Sequence, residues 1–327
     1  MPTMSYIQAV TAALREEMQR DEKVFILGED VGKKGGVFRA TEGLYDEFGE
    51  ERVLDTPLAE SAIAGVGIGA AMYGMRPVAE MQFADFIMPA VNQIISEAAK
   101  IRYRSNNDWN CPITIRAPYG GGVHGALYHS QSVEAIFANQ PGLKIVMPST
   151  PYDVKGLLKA AIRDNDPVLF FEHKRAYRLL KEDVPDDDYV LPIGKADVKR
   201  EGSDITVITY GLSVHFALQA AEKLADEGIE AHILDLRTVY PLDQEAIIEA
   251  AKKTGKVLLA TEDNKEGSII GEVAAVIAEN CLFDLDAPIQ RLAGPDVPSM
   301  PFAPTMEKYF MINPEKLENA MRDLAEF

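Results

Sequence analysis

The chain has 327 residues, of which 47% are hydrophobic and 26% charged, enough for one large or two ordinary cores. Its formal net charge of -18 would repel phosphate backbones and anionic headgroups, so we expect neither nucleic-acid nor membrane binding. The N-terminus lacks the pattern of a targeting peptide. Cys111 and Cys281 have no metal-ligand spacing, which predicts core residues in a reducing, cytoplasmic compartment.

The first half of the chain alternates between helical and β-rich patterns. Ser5 and Gln8 form a capping-box pattern ahead of an amphipathic helix, and Thr150-Pro151 predicts the start of another helix. The short β-rich runs between helical stretches predict a parallel sheet with helices on both faces. These runs are Val24–Leu27, Val78–Phe83, Ile113–Ala117, Lys144–Met147 and Val168–Phe171.

A turn-rich, charged segment at Lys181–Tyr189 predicts the linker between two domains, at 1–185 and 186–327. The second half again predicts an α/β unit. Its helices end at Gly228 and Gly255, and Asp243 caps one of them. The predicted strands are Ile205–Thr209, Ala231–Leu236 and Lys256–Thr261.

The first candidate for chemistry is Glu60, which follows Asp55-Thr56-Pro57 and enters an apolar helix. We expect Thr56 to cap this helix and apolar neighbours to desolvate the carboxyl group, which would raise its pKa. The structural alternative is that an acid in a first turn only complements the helix dipole.

The second candidate is the stretch 120–131, which carries three consecutive glycines, His124 and His129. Ligands bind beyond the carboxyl ends of parallel strands, and histidine exchanges protons near neutral pH. The alternative is an ordinary loop with surface histidines. His173, His215 and His232 stand singly, and we interpret them as structural.

Gly65, Gly67, Gly69 and Gly74 resemble a dinucleotide-binding pattern only weakly, because they lie inside a predicted helix. Close helix packing explains them better. No metalloprotease motif, nucleophile elbow or phosphate loop occurs in the sequence.

Read together, the segments resemble the beta subunit of the decarboxylating component of 2-oxo acid dehydrogenase complexes, in the transketolase-like thiamine diphosphate superfamily. The resemblance covers nearly the whole chain. It implies a pyrimidine-binding domain of transketolase-like α/β fold at 1–185 and a transketolase C-terminal-like α/β domain at 186–327. It rests on Gly28-Glu29-Asp30-Val31, Gly35–Phe38, Asp55–Glu60, Glu80–Phe86, His129-Ser130-Gln131, Pro141–Lys144 and Asp235–Thr238.

The resemblance implies that Glu60 hydrogen-bonds the pyrimidine nitrogen of thiamine diphosphate and so drives its amino group toward the imino base. Phe86 would lie against the pyrimidine ring, although ordinary core packing is the alternative for this side chain. His129 would lie near the reacting centre, where it would hydrogen-bond the intermediate and deliver a proton as the acyl group passes to a lipoyl carrier.

The family also carries a structural monovalent cation, potassium, held largely by backbone carbonyls. The matching positions are Ile113, Ala161, Ile162, Asp164 and Asp166. Asp166 departs from the asparagine usually found there. A plain capping turn is the alternative for residues 164–166.

The Gly-Asp-Gly motif that holds Mg2+ and the diphosphate is absent from the sequence. The resemblance therefore implies an alpha subunit that binds both, in an assembly of two alpha and two beta chains. The acidic second domain would also dock on the basic binding domain of a lipoyl acyltransferase core.

Segments 80–86 and 124–129 look more like the branched-chain enzyme, of the 3-methyl-2-oxobutanoate dehydrogenase class, than like the pyruvate or acetoin enzymes. Two remoter alternatives are a nicotinamide-dependent dehydrogenase built on the glycines after Glu60 and a docking subunit without catalytic activity.

Overall fold

The computed structural model describes residues 2–327, which form two compact units. The first unit runs to Tyr119, resumes at Ile136 and ends at Ile193. The second unit comprises Gly120–Ala135 and Gly194–Phe327. The chain thus passes from the first unit to the second at Gly120, returns to the first at Ile136 and passes to the second again at Gly194.

The first unit contains a parallel sheet in the order β6-β7-β5-β4-β2-β3 and a separate antiparallel pair, β1 with β8. Strands β2, β5 and β7 are buried along their whole length, as expected for strands with helices on both faces. The strands are β1 (Thr3–Ser5), β2 (Val24–Gly28), β3 (Val53–Asp55), β4 (Arg76–Glu80), β5 (Thr114–Tyr119), β6 (Lys144–Val146), β7 (Val168–His173) and β8 (Lys181–Asp183).

The helices of this region begin largely where the sequence predicts. Ser5 and Gln8 form the predicted capping box, and the Thr150 hydroxyl accepts a hydrogen bond from the Asp153 amide. Short helices of other types lie at Ala84–Ala90 and Ala98–Lys100, which are 3-10 helices, and at Gln93–Glu97, which is a π-helix. The α-helices are α1 (Tyr6–Arg20), α2 (Leu44–Phe48), α3 (Glu60–Met72), α4 (Ile101–Arg104), α5 (Glu134–Ala138), α6 (Pro151–Arg163) and α7 (Ala176–Leu179).

The second unit contains a sheet in the order β14-β13-β10-β11-β9, in which only β9 runs antiparallel to its neighbour. The strands of this sheet are β9 (Asp197–Arg200), β10 (Ile205–Thr209), β11 (Ala231–Asp235), β13 (Val257–Asn264) and β14 (Gln290–Gly294). Strand β12 (Thr238–Tyr240) also lies in the second unit but is not part of this sheet. The helices of the second unit are α8 (Leu212–Ala225), α9 (Gln244–Thr254), α10 (Ile269–Cys281), α11 (Pro304–Phe310) and α12 (Pro314–Ala325), with 3-10 turns at Ala126–Tyr128 and Leu282–Asp284.

The predicted fold class is confirmed: both sheets are mostly parallel and combine with helices in an α/β arrangement. The helix caps at Asp243 and Gly255 are also confirmed. The segment predicted as linker is structured, because Lys181–Asp183 pair with β1 and Val184 is fully buried. The two units separate several residues later, between Ile193 and Gly194.

The prediction that Thr56 caps α3 is wrong. The residue at the cap position is Ala59, which makes no side-chain capping bond, and Glu60 is the first helical residue. Helix α3 is also only half buried, since Val66 is 59% exposed while Ile63 and Ile68 are buried. In the described part of the chain, no helix is both long and apolar enough to cross a bilayer.

Candidate active site

Three adjacent strands of the first unit, β2, β3 and β4, end side by side. Gly28 pairs with both Asp55 and Glu80, which are the last residues of β3 and β4. The segments that carry Glu29, Glu60 and Phe86 begin directly after these strand ends. Ligand sites in parallel sheets form at such edges, because the following loops converge there.

Glu60 occupies the first position of α3 and is 8% exposed. The unpaired amides of a first helical turn favour a carboxylate at this position. No residue among 2–327 donates a hydrogen bond to this carboxyl group. A nearly buried carboxyl without a donor in its own chain fits a partner outside the chain, such as the ring nitrogen of an aminopyrimidine.

Glu29 is a second buried acid at this edge, which the sequence analysis did not select as a site residue. It is 8% exposed, and its pKa is raised, first by burial and then by the negative charges of Glu60 and Asp30. The signal that could have identified Glu29 is an acid that immediately follows a fully buried strand. The negative charge of Glu60 therefore disfavours the charged form of Glu29.

An aromatic cluster lies beyond the end of β4. The Phe83 ring makes edge contacts with Phe86 and with Phe38, each at 5.3 Å between ring centres. Phe86 lies on the 3-10 segment Ala84–Ala90, and this segment packs against α3, which carries Glu60. Phe86 is partly exposed.

A buried ion network anchors the same strand end. Arg116 on β5 is fully buried and binds Glu80, the last residue of β4, at 2.6 Å from Nη1 to Oε2. The remaining Arg116 nitrogens bind Glu172 on β7. Burial is the first cause that raises the pKa of Glu80, so the guanidinium is needed to keep this carboxylate charged.

The stretch 120–131, called the glycine loop below, lies in the second unit, as does its His129. The Gly120 amide donates to the Gln131 carbonyl at 3.1 Å, which closes the loop on itself. Gly125 contacts His129 directly, because a Cβ at this position would lie 2.7 Å from the His129 Cβ. His129 is partly exposed at the end of the 3-10 turn Ala126–Tyr128.

A buried acid lies next to the glycine loop. Glu134, in the first turn of α5, accepts a hydrogen bond from the Tyr210 hydroxyl at 2.8 Å. Its pKa is raised to about 8 by burial and by the negative charges of Asp263 and Glu262. The pKa of Asp263 is raised to about 6, again first by burial.

The five residues matched to the cation site lie around the end of α6 and the starts of β5 and β7. Ile113 O accepts from the Val168 amide at 3.0 Å, and Ala161 O accepts from the Asp164 amide at 3.2 Å. Arg76 Nη1 donates to the carbonyls of Ile162 and Asp164, at 3.0 and 2.9 Å. These four carbonyls each keep one lone pair.

The charges around this segment already balance in part. Lys144 Nζ lies 2.6 Å from Asp164 Oδ2, and Arg102 Nε lies 2.5 Å from Asp166 Oδ1. Oxygen-rich surroundings at a helix carboxyl end suit a monovalent cation. The carbonyl oxygens therefore fit such an ion. The same segment also binds three cationic side chains, those of Arg76, Arg102 and Lys144.

The glycines of α3 lie inside the helix and not at a strand-to-helix turn, so the dinucleotide-binding alternative lacks its structural basis. Close packing explains one of them, because a Cβ on Gly67 would lie 2.8 Å from Ile113 Cδ1. Gly69 has no atom within 4 Å of such a Cβ. Of the single histidines, His173 and His232 are buried.

The fold and the acid-aromatic edge define a protein of the transketolase-like class. Residues 2–179 match the model of the transketolase pyrimidine binding domain, and residues 194–317 match that of the transketolase C-terminal domain. A solved structure described as a split gene transketolase, an inactive beta4 tetramer, aligns with a TM-score of 0.79 at 24% identity. It covers 99% of this chain and 98% of that chain, which shows the fold.

Curated relatives narrow the class. The 2-oxoisovalerate dehydrogenase subunit beta of Bacillus subtilis is 83% identical over 100% of both chains. The pyruvate dehydrogenase E1 component subunit beta of the same organism is 49% identical over 99% of both. The chain belongs to the family of 2-oxo acid dehydrogenase beta subunits.

Proposed function

We propose that this chain is the beta subunit of a thiamine diphosphate-dependent dehydrogenase that oxidatively decarboxylates branched-chain 2-oxo acids. The observation that carries the proposal is Glu60, a buried carboxyl group that receives no hydrogen bond from residues 2–327, at the edge where three parallel strands end. The identity of 83% to the Bacillus subtilis 2-oxoisovalerate dehydrogenase subunit supports the substrate class.

Thiamine diphosphate, when bound, supplies the nucleophilic carbon and the electron sink that decarboxylation of a 2-oxo acid requires. Glu60 holds a proton or a strong hydrogen bond at the pyrimidine nitrogen. Its buried position strengthens this bond, because burial lowers the local dielectric around the carboxyl group. Phe86 offers its partly exposed ring surface to the pyrimidine.

His129 is proposed to transfer the proton that accompanies passage of the acyl group to a lipoyl carrier. An imidazole suits this task, since it can donate or accept a proton near neutral pH. The support is its partial exposure in a loop that is closed on itself and packed tightly around Gly125.

The diphosphate and Mg2+ are assigned to an alpha subunit, because the sequence holds no Gly-Asp-Gly motif. The working assembly is two alpha and two beta chains in the cytoplasm, docked on a lipoyl acyltransferase core. The net charge of -18 suits a basic docking domain. Potassium at residues 113, 161, 162, 164 and 166 is proposed to use the carbonyl lone pairs that remain free.

The test is co-expression with an alpha subunit that carries the Gly-Asp-Gly motif, followed by decarboxylation assays with an artificial electron acceptor. Branched-chain 2-oxo acids should show a higher kcat/KM than pyruvate. A preference for pyruvate would favour the runner-up, the pyruvate dehydrogenase beta subunit, which is the relative at 49% identity. An inactive assembly that still docks on the core would favour a non-catalytic docking subunit.

A further inference from the structure

The glycine loop holds a backbone that is costly for several of its residues. His124 and Ala126 have φ angles of +57° and +56°, a region that side chains with a Cβ rarely adopt. Each such residue costs of order 1 kcal/mol and persists only when its surroundings hold it. Contacts around the loop must therefore hold this conformation.

Glu307 on α11 supplies one such constraint. Its Oε1 accepts hydrogen bonds from the amides of Gly122 and His124, each at 3.1 Å. Its Oε2 lies 2.6 Å from Nδ1 of His124. Glu307 is 4% exposed, and within residues 2–327 no lysine or arginine pairs with it. Both carboxylate oxygens of Glu307 therefore contact the glycine loop.

Glu262 on β13 supplies a second constraint. Its Oε1 accepts a hydrogen bond from the Gly121 amide at 2.6 Å, and the side chain is 6% exposed. Gly121 has no room for a side chain, because a Cβ there would lie 2.2 Å from Met300 Sδ. Two buried carboxylates on different elements thus accept three loop amides, and charge-assisted bonds of this kind are the strong ones.

The constraint is passed on to His129 through a short stretch of backbone. His124 is followed by Gly125, whose Cα packs against the Cβ and carbonyl of His129. The His129 amide donates to the Ala126 carbonyl at 3.4 Å. A shift of the Gly122–His124 backbone would therefore displace the imidazole of His129.

We infer that Glu307, assisted by Glu262, is a positioning residue that sets the orientation of His129 for its proton transfer. The inference rests on the proposed role of His129. Glu307 touches no reacting atom in this scheme. Its hydrogen bonds offset the cost of the strained loop backbone and so pre-organise the histidine.

The first measurement is hydrogen exchange in the assembled heterotetramer. Glu307→Ala should speed exchange of the 120–131 amides by about tenfold or more, because two amides lose their acceptor. Glu307→Gln keeps an acceptor oxygen and should fall between Ala and wild type. The matched control is Glu318→Ala on α12, which binds Lys223 and Arg322 at the surface and should leave the loop unchanged.

The second measurement separates two steps of the reaction. Glu307→Ala should slow acylation of a lipoyl domain by about 10- to 100-fold, while decarboxylation with an artificial acceptor changes by less than about threefold. In a His129→Ala background the same substitution should add less than about a twofold loss. Such non-additivity is expected only when both residues act through one group.

Each outcome has a separate meaning. A wild-type rate in His129→Ala defeats the proposed role of His129 itself. A strong loss in His129→Ala together with a wild-type rate or unchanged exchange in Glu307→Ala overturns the positioning role. Equal losses from Glu307→Ala in both backgrounds also overturn it. Should Glu307→Ala fail to assemble, Glu262→Gln must show the same pattern at smaller size, and additive losses there would refute the inference.

Discussion

Arg116 binds Glu172 through two hydrogen bonds, from Nε to Oε1 at 2.6 Å and from Nη2 to Oε2 at 2.7 Å. Both side chains are fully buried. The third nitrogen of the guanidinium binds Glu80, and Tyr177 donates its hydroxyl proton to Glu172 at 2.6 Å. One arginine thus ties β4, β5 and β7 together beneath the proposed thiamine site.

Arg116→Met should destabilise the protein by about 3–5 kcal/mol, because two buried carboxylates lose the guanidinium that binds them. Urea unfolding followed by circular dichroism measures the loss. Arg104→Met removes an exposed pair with Glu97 and should cost no more than about 1 kcal/mol. Equal losses in the two variants would mean that burial adds nothing to the Arg116 network.

Glu60→Gln should reduce turnover by about 100-fold or more, while the assembly stays intact. The amide keeps the size of the side chain but lacks the acidic proton needed at the pyrimidine nitrogen. Steady-state assays and size-exclusion chromatography of the heterotetramer check both parts. Glu51→Gln, an exposed acid in the same unit, is the control. Wild-type turnover in Glu60→Gln would remove this residue from the mechanism.

The raised pKa of Glu134 predicts that the folded protein loses stability at alkaline pH. Its folded-state pKa of about 8 lies above the ordinary value of 4.5, so folding favours the protonated acid. This contribution is fully present below about pH 4.5 and is lost as the pH rises through about 8. Asp263, with a pKa of about 6, adds a loss in the same direction.

Glu134→Gln should therefore raise the melting temperature at about pH 8.5 by a few degrees and change it little at about pH 5. The amide keeps an oxygen that can accept the Tyr210 hydroxyl proton. Thermal unfolding across this range is the measurement. If the melting temperature of the wild-type protein does not decrease as the pH rises through this range, the raised pKa of Glu134 is contradicted.

Gly67 and Gly69 form a matched pair on α3. Gly67→Ala places a methyl group 2.8 Å from Ile113 Cδ1, which must shift, so this variant should be less stable than Gly69→Ala by about 1 kcal/mol. Gly69→Ala meets no atom within 4 Å and should stabilise the isolated chain by up to about 1 kcal/mol through helix propensity. Urea midpoints of the two variants test the difference, and a reversed order would contradict the packing seen at Gly67.

Potassium should raise the melting temperature of the assembly in a saturable way, relative to choline at equal ionic strength. The proposed ion would share the carbonyl oxygens of Ile162 and Asp164 with Arg76, which already donates hydrogen bonds to them. Arg76→Met should enlarge the potassium effect. Arg52→Met is the control, because Arg52 also donates to backbone carbonyls, those of Val24 and Met18, away from this site. Identical melting curves in both salts would exclude the ion.

The sequence by itself determined the local features of this protein. The capping box at Ser5, the cap at Asp243 and the αL glycine at Gly255 depend on neighbouring residues only, and all three are confirmed. The alternation of buried strands and amphipathic helices likewise predicted the α/β class. Glu60 could be selected because an acid at the head of an apolar helix is unusual within a short window.

The tertiary structure alone decided which distant residues meet. Glu307 lies far along the chain from Gly122, and Arg116 joins acids on two other strands, so neither contact leaves a periodic pattern in the sequence. Thr56 failed as a cap because the helix begins only at Glu60, with Ala59 at the cap position. Short-range propensities fix helices and turns, whereas a buried carboxylate finds its donors through chain topology, and burial then sets the strength of those bonds.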